Sequence, residues 1–177
     1  MAFQRPDPKH LIVSLSLLAV IGGFEMFKPD SYIPIAGDVP TIGYGTTMYP
    51  DGTRVQLGEK ISREHAFLLL KEDVSEYSKG VLKCTNAPMY QYEFDAFVSL
   101  AYNIGVPTFC GSSIPKKLQA GDFAGACSTL LQFNKMKDKS KPRYYDAKTK
   151  TWKWQYKVIK GLDNRRKKEY AMCIGGA

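Results

Sequence analysis

The chain has 177 residues, 44% of them apolar and 24% charged, with 15 glycines and 10 prolines; those proportions fit one globular domain over 1–177 and exclude disordered, collagenous and coiled-coil chains. Its formal charge of +8 favours anionic partners such as nucleic acid, acidic glycan or membrane. The excess is local: residues 135–160 hold ten basic side chains against Asp138 and Asp146, and the rest of the chain balances.

Asp7-Pro8 pairs a capping residue with a proline at a first helical position, which predicts a helix ending near Phe27. Its residues 11–24 carry no charge. Fourteen residues fall short of the roughly 20 that span a bilayer, yet the polar stripe of a surface helix is almost missing. Arg5 and Lys9 in front of the run resemble the basic flank of an export signal, without a convincing cleavage site before Glu25. A buried core helix and an uncleaved export anchor both fit. From Ser31 to Leu57, Tyr32-Ile33 and Thr41-Ile42-Gly43-Tyr44 alternate with Gly37-Asp38 and Pro50-Asp51-Gly52 turns, which predicts a small antiparallel sheet.

Ser62 caps the next predicted helix, with a stripe through Ala66, Leu69 and Val74 to about Tyr77. Over 90–103, Phe94, Phe97, Val98 and Ala101 share one face, and Gly105 stops the helix. Ser113 and Asp122 are placed to cap two short helices, ending at Gly121 and near Phe133, and a last helix runs from Leu162 to Cys173. Between them, Thr149–Tyr156 alternates like a strand after a turn near Asp146-Ala147, so the basic segment 135–160 reads as a protruding hairpin.

Two histidines and four cysteines without a Cys-x-x-Cys spacing build no recognisable zinc site, and phosphate-binding loops and a nucleophile elbow are missing. No metal or cofactor is expected. The cysteines could be buried thiols or two disulfides in any of three pairings. The informative stretch is Gly23-Phe24-Glu25 followed by Val39-Pro40-Thr41-Ile42-Gly43-Tyr44-Gly45-Thr46. Contact with Phe24 and Phe27 would desolvate the Glu25 carboxyl, the condition under which it serves as a general acid near neutral pH. A solvated helix-end glutamate is the plain alternative.

Those residues, with Phe94–Gly105, Leu118-Gln119-Ala120-Gly121-Asp122, Gly125-Ala126-Cys127 and Gly161-Leu162-Asp163-Asn164-Arg165-Arg166, resemble the phage-type lysozymes of glycoside hydrolase family 24, in order from about 12 to 173. The resemblance implies an α+β, mainly helical lysozyme-like fold, with a small antiparallel sheet lobe and a larger helical lobe. It implies an endolysin that hydrolyses the β-1,4 bond between N-acetylmuramic acid and N-acetylglucosamine in bacterial peptidoglycan, for host lysis. The family uses a helix-end glutamate, an aspartate nine residues later and a threonine six beyond that. Glu25 and Thr41 correspond, but they stand sixteen apart rather than fifteen, with Pro34 and Ile35 where the aspartate should fall. Asp38 is the nearest acidic residue to Thr41 and Asp30 a more distant rival. Without such a carboxylate, Glu25 could act as the acid of a lytic transglycosylase, whose product carries a 1,6-anhydro end. Thr46 stands where the family commonly has histidine after Gly-Tyr-Gly, so a polar contact between the lobes is missing or replaced.

Related sequences with Gly-Ala-Cys and an Arg-Arg helix often carry both matching cysteines, so the resemblance pairs Cys127 with Cys173 and leaves Cys84 with Cys110. Disulfides place the protein in the host periplasm, reached through residues 11–24 as an uncleaved signal-anchor with transient inner-membrane association; the cytoplasm before lysis is the alternative. A monomer is expected. Residues 135–160 have no counterpart of that length in typical members. Their five aromatics, Tyr144, Tyr145, Trp152, Trp154 and Tyr156, interleave with basic residues. Such a surface can stack on sugar rings or bases, or be only a solvated hairpin. A non-catalytic wall-binding or nucleic-acid-binding protein is the rival from another class; no nucleic-acid partner is expected.

Overall fold

The computed structural model describes residues 5–175; the first four and last two residues, which the single-domain expectation includes, lie outside the described residues. Asp7 caps only one 3-10 turn, Pro8–His10. The first α-helix, α1, is Leu15–Glu25, and its cap is Ser14, whose hydroxyl oxygen accepts from the Leu17 amide. The expected start at Pro8 and end near Phe27 are therefore both corrected. Ser14 Oγ also donates to Asp95 at 2.6 Å, which ties the helix start to the core. At the other end Met26 takes a positive φ of 48°, which takes the chain off the helix. Leu17, Leu18 and Ile21 are buried, whereas Leu15 and Met26 are 78% and 67% exposed. The absence of a polar stripe thus reflects an apolar outer face as well as a buried inner one.

Strands β1 (Lys28–Tyr32) and β2 (Thr41–Gly43) pair antiparallel, with Lys28 opposite Gly43 and Tyr32 opposite Thr41. Bridges Asp30 to Lys60 and Met48 to Arg54 extend this small lobe, while Ile33 stays outside it. Its core is Ile42, Val55 and Ile61 closed by Ala66 and Leu69, with Tyr49 packed against it. The last two buried residues belong to α2 (Arg63–Thr85), capped by Ser62 at the His65 amide. Gly43 makes that closure possible: at φ +68° a Cβ there would lie 2.9 Å from the Ala66 Cβ.

Helix α2 runs eight residues beyond the expected Tyr77, to a left-handed Asn86 cap. At 1.5 Å per residue its 23 residues reach about 34 Å. It therefore spans both lobes, with Ala66 and Leu69 in the small core and Leu70, Val74 and Val81 in the large one. The centre of the large lobe is α3 (Gln91–Ile104), stopped by Gly105 as expected. Phe94, Phe97, Val98 and Ala101 are fully buried, and so are its polar residues Glu93, Asp95 and Ser99 to within 3%. Each of those has a partner: Arg5 for Glu93, Ser14 and Gln91 for Asp95, Glu169 for Ser99.

Gly105 leads straight into α4 (Val106–Cys110), a short helix that the sequence pattern did not predict. α5 (Ile114–Gln119) follows, but Ser113 makes no capping bond; Pro115 within its first turn sets the start instead. Asp122 does cap α6 (Phe123–Thr129), accepting from the Gly125 amide. The last helix, α7 (Lys160–Cys173), begins two residues earlier than expected. Residues 135–160 form a protruding arm of two successive antiparallel ladders, β3 (Lys135–Lys137) with β6 (Tyr156–Val158) and β4 (Tyr144–Asp146) with β5 (Thr151–Lys153). The hairpin expectation holds, with the strand broken at Trp154-Gln155.

Cys127 pairs with Cys173 and Cys84 with Cys110. The first bond ties α6 to α7 across 46 residues and the second ties α2 to α4 across 26. On the chain-entropy relation, loops of those lengths stabilise by about 4 and about 3.5 kcal/mol. Urea unfolding should therefore show C127S/C173S losing up to about 4 kcal/mol, with C84S/C110S losing slightly less.

Candidate active site

Glu25 is the last residue of α1, and its carboxyl comes to lie at the junction of the lobes because α7 crosses there. Arg165 Nη1 donates to Glu25 Oε1 at 2.8 Å, while its Nε donates to Glu169 Oε1 at 3.1 Å and its Nη2 to the Ser99 carbonyl at 3.3 Å. The guanidinium also lies over the Phe24 ring, 4.5 Å from its centroid. Glu169 is completely buried and is shared with Arg166, whose Nη2 donates to it at 3.0 Å. Burial pushes the Glu169 carboxyl up, against both guanidiniums and the Ser99 hydroxyl; burial likewise pushes Arg166 down to about 10, opposed by Glu169. Arg166 thus stays charged at neutral pH.

Aromatic contact with Glu25 is not what was expected. Phe24 stacks under Arg165, and Phe27 lies under Arg63 and beside Tyr44. The Glu25 side chain remains 27% exposed and faces the open cleft, so Arg165 rather than the two rings sets its position.

That cleft has a volume of about 390 Å³ and is lined by Glu25, the turn Gly45–Met48, Asp73 and Tyr77 of α2, and Tyr102 and Asn103 of α3. Gly45, at φ +105°, lets the turn approach closely: a Cβ there would point within 4.0 Å of Glu25 Oε2 and 3.9 Å of the Tyr102 hydroxyl. Burial, with the nearby Asp73 and Glu25 charges adding, pushes the Tyr102 hydroxyl up, so it remains a proton-bearing donor. Among the described residues it makes only a long 3.4 Å bond to the Tyr44 carbonyl. Asn103 Oδ1 accepts from Arg166 Nη2 at 3.1 Å, which leaves its amide nitrogen as the end open to a ligand. Among the described residues no group of three or more His, Cys, Asp or Glu could hold a metal ion.

Asp73 was not singled out from sequence. It is half-buried, has no hydrogen-bond or ion-pair partner among the described residues, and its carboxyl is pushed up by burial with Glu72 adding. The signal lay in Thr46, which lines the cleft beside Asp73 and carries no charge to pair with it.

Of the predicted catalytic residues Glu25, Asp38 and Thr41, only Glu25 lines the cleft. Thr41 is 6% exposed at the start of β2, with its hydroxyl donating to the Val39 carbonyl at 3.1 Å. Asp38 lies on the exposed turn before it, its amide bonded to the Ile35 carbonyl at 2.9 Å. Asp30 is held by Lys60 at 2.9 Å on the outside of the sheet. The 127–173 and 84–110 pairs brace the helical lobe away from the cleft lining.

Comparison with known proteins identifies the family and the fold. Residues 22–169 match the phage lysozyme family. The endolysin of Bacillus phage B103 is 31% identical over 165 residues, 93% of this chain; the chain spans about half of that endolysin, 54% of its length. The SAR-endolysin of Pseudomonas phage phiKMV is 29% identical, covering 89% of this chain and 85% of its own. Among solved structures, the endolysin of Escherichia coli O157:H7 phage FAHEc1 superposes with a TM-score of 0.80 at 32% identity, covering 99% of this chain and 98% of its own.

Arg165 is nearly buried and Glu25 is not, so the two halves of their ion pair differ in cost. Arg165→Met should destabilise by about 3–5 kcal/mol in urea unfolding, because Glu169 loses one of its two cations. Glu25→Gln should cost less than about 1 kcal/mol.

Proposed function

Because the chain belongs to the phage lysozyme family, we propose that it is an endolysin: a single catalytic domain that hydrolyses the β-1,4 bond between N-acetylmuramic acid and N-acetylglucosamine in bacterial peptidoglycan to lyse the host. The observation that carries this reading is the Glu25 carboxyl, held by Arg165 at the mouth of the cleft between the lobes. A polysaccharide laid across that cleft passes Tyr102 and Asn103, which supply an O–H and an amide nitrogen to its hydroxyl and N-acetyl groups.

In the proposed reaction Glu25 gives its proton to the glycosidic oxygen as the bond to the muramic acid anomeric carbon breaks. A water then attacks that carbon from the opposite face and loses its proton to a second carboxylate. Inversion by this route needs the two carboxyls roughly 6.5–9.5 Å apart, with the water between them. Asp38 is the carboxylate we assign to the water, with Thr41 as the hydroxyl that holds it. Support for Asp38 over Asp30 comes from their partners: Asp30 is engaged with Lys60, whereas the Asp38 carboxylate has no partner among the described residues. A second reading is favoured by one observation, that Asp73 lines the cleft with Glu25 and has no partner among the described residues; in it Asp73 is the base.

The proposed place of action is the host periplasm, at the wall. Both disulfides suit an oxidising compartment, and the SAR-endolysins among the relatives support export through the uncharged run 11–24. No helix among the described residues is long and apolar enough to cross a membrane; in the folded enzyme the run is divided between an extended segment and α1, whose outer face stays apolar. The enzyme works as a monomer and needs no cofactor.

Digestion of purified peptidoglycan followed by mass analysis should release fragments with reducing N-acetylmuramic acid ends; 1,6-anhydro ends would make the enzyme a transglycosylase. Glu25→Gln should lower the rate by about 10²–10⁴-fold. Asp38→Asn should lower kcat by at least about 10²-fold and Asp73→Asn by less than about tenfold; the reverse order would move the base to Asp73.

A further inference from the structure

The arm 135–160 contributes almost nothing to either hydrophobic core. Strands β3 and β6 are exposed along their whole length, and Tyr144, Tyr145, Trp152 and Tyr156 are 48–59% exposed. Its only two carboxylates are engaged within the arm itself, Asp146 by Lys153 and Asp138 by Lys157 and Ser140. Eight cations of the segment therefore have no carboxylate partner among the described residues, while the rest of the chain is formally neutral. Such an element is built for its surface, and the surface is cationic and aromatic.

We infer that this arm is a second binding surface, separate from the cleft, that holds the carboxylate-bearing glycan strands of peptidoglycan. The choice of a wall glycan rests on the peptidoglycan reading of the cleft; the existence of the surface rests on the arm itself. Residue arrangement decides the class of partner. Across the ladders Tyr144 stands opposite Lys153, Tyr156 opposite Lys137, and Tyr145 opposite Trp152, whose rings meet edge-on at 5.6 Å. Because side chains alternate faces along a strand, the Tyr144–Lys153 and Tyr145–Trp152 pairs project from opposite sides. Each ladder thus has a side that sets a ring beside a cation, Tyr144 with Lys153 and Tyr156 with Lys137, and Lys137 and Arg143 also lie 5.8 and 5.7 Å from the Trp154 ring centroid between the ladders. An element that lies on a bilayer separates an apolar face from a charged one. Interleaved rings and cations suit a polymer of sugar rings that bears carboxylates on its attached peptides, the rings stacking and the carboxylates pairing with lysine.

Position supports the same partner. The arm is clasped at its base by Ile159 N donating to the Asn134 carbonyl and by Asn134 Nδ2 donating to Asp163. Arg165, which holds Glu25, is five residues beyond the first residue of α7, about 7.5 Å of helical rise. The arm is therefore rooted on the same helix that holds the Glu25 carboxyl.

The test uses the full chain carrying Glu25→Gln, so that binding is read without cleavage, and measures cosedimentation with purified peptidoglycan sacculi. Adding K139Q/K141Q/K148Q/K150Q, four exposed lysines outside the arm's ion pairs, should weaken binding by about tenfold at low salt and flatten its salt dependence. Adding Trp152→Ala instead should weaken binding at high and low salt alike. In the catalytically intact chain the same arm substitutions should leave kcat on a short soluble glycan within about twofold, so a failure of the cleavage reading appears there and not in sedimentation. Unchanged sacculus binding in both arm variants overturns the proposal. So does arm-dependent retention on phosphatidylglycerol vesicles or duplex DNA without retention on sacculi.

Discussion

The contact on which the rest of the structure depends is the buried cluster of Arg165, Arg166 and Glu169 on α7, packed against Ser99 of α3. Taking three charges out of water is costly unless every one is paired, and here the single buried carboxylate serves two guanidiniums. Arg165 has donors to spare, and the nearest acceptor left for them is Glu25 at the end of α1. A structural solution to burying charge therefore also fixes the position of the Glu25 carboxyl. Three helices distant in sequence meet at one ion network, and the most exposed member of that network is the one that faces the cleft.

Helix α2 sets the other dimension of the site. It belongs to both cores, and the close approach of Gly43 to Ala66 docks the sheet lobe onto its first turns. The turn Gly45–Met48 is thereby placed against Tyr102 of α3, and the space left between turn and helices is the cleft. The two glycines of Gly-Tyr-Gly have distinct duties: one admits a helix and the other brings backbone close to the Glu25 carboxyl. Asp73 follows from the same geometry. Thr46, in the same lining, is uncharged, and the half-buried Asp73 carboxyl has no ion-pair partner among the described residues.

Features whose cause is local were legible from the chain. Ser62 and Asp122 cap their helices because a side-chain oxygen reaches an amide three residues on, and Gly105 ends α3 because it tolerates a positive φ. The arm's turn was readable for the same reason: Asp146 accepts from the Lys148 and Thr149 amides. Where a distant partner decided the outcome, the local reading failed. Asp7-Pro8 has good capping chemistry, yet the helix starts at Ser14, which Asp95 of α3 anchors. Helix α2 continues past Tyr77 because Val81 and Thr85 are buried by neighbours that the local stripe does not show.

The candidate site divides in the same way. Glu25 at a helix end, the Thr41-Ile42-Gly43-Tyr44-Gly45 strand and turn, and the charge of residues 135–160 are properties of order and composition, so the sequence by itself determined them. Which groups share the cleft with Glu25 was decided only by tertiary structure. Asp73, Tyr102 and Asn103 lie some fifty to eighty residues along the chain from Glu25, on two helices whose rotation is set by core packing. The pairing of Glu25 with Arg165, 140 residues apart, is of that kind too: no local pattern encodes it, because it arises where a buried guanidinium must find an acceptor.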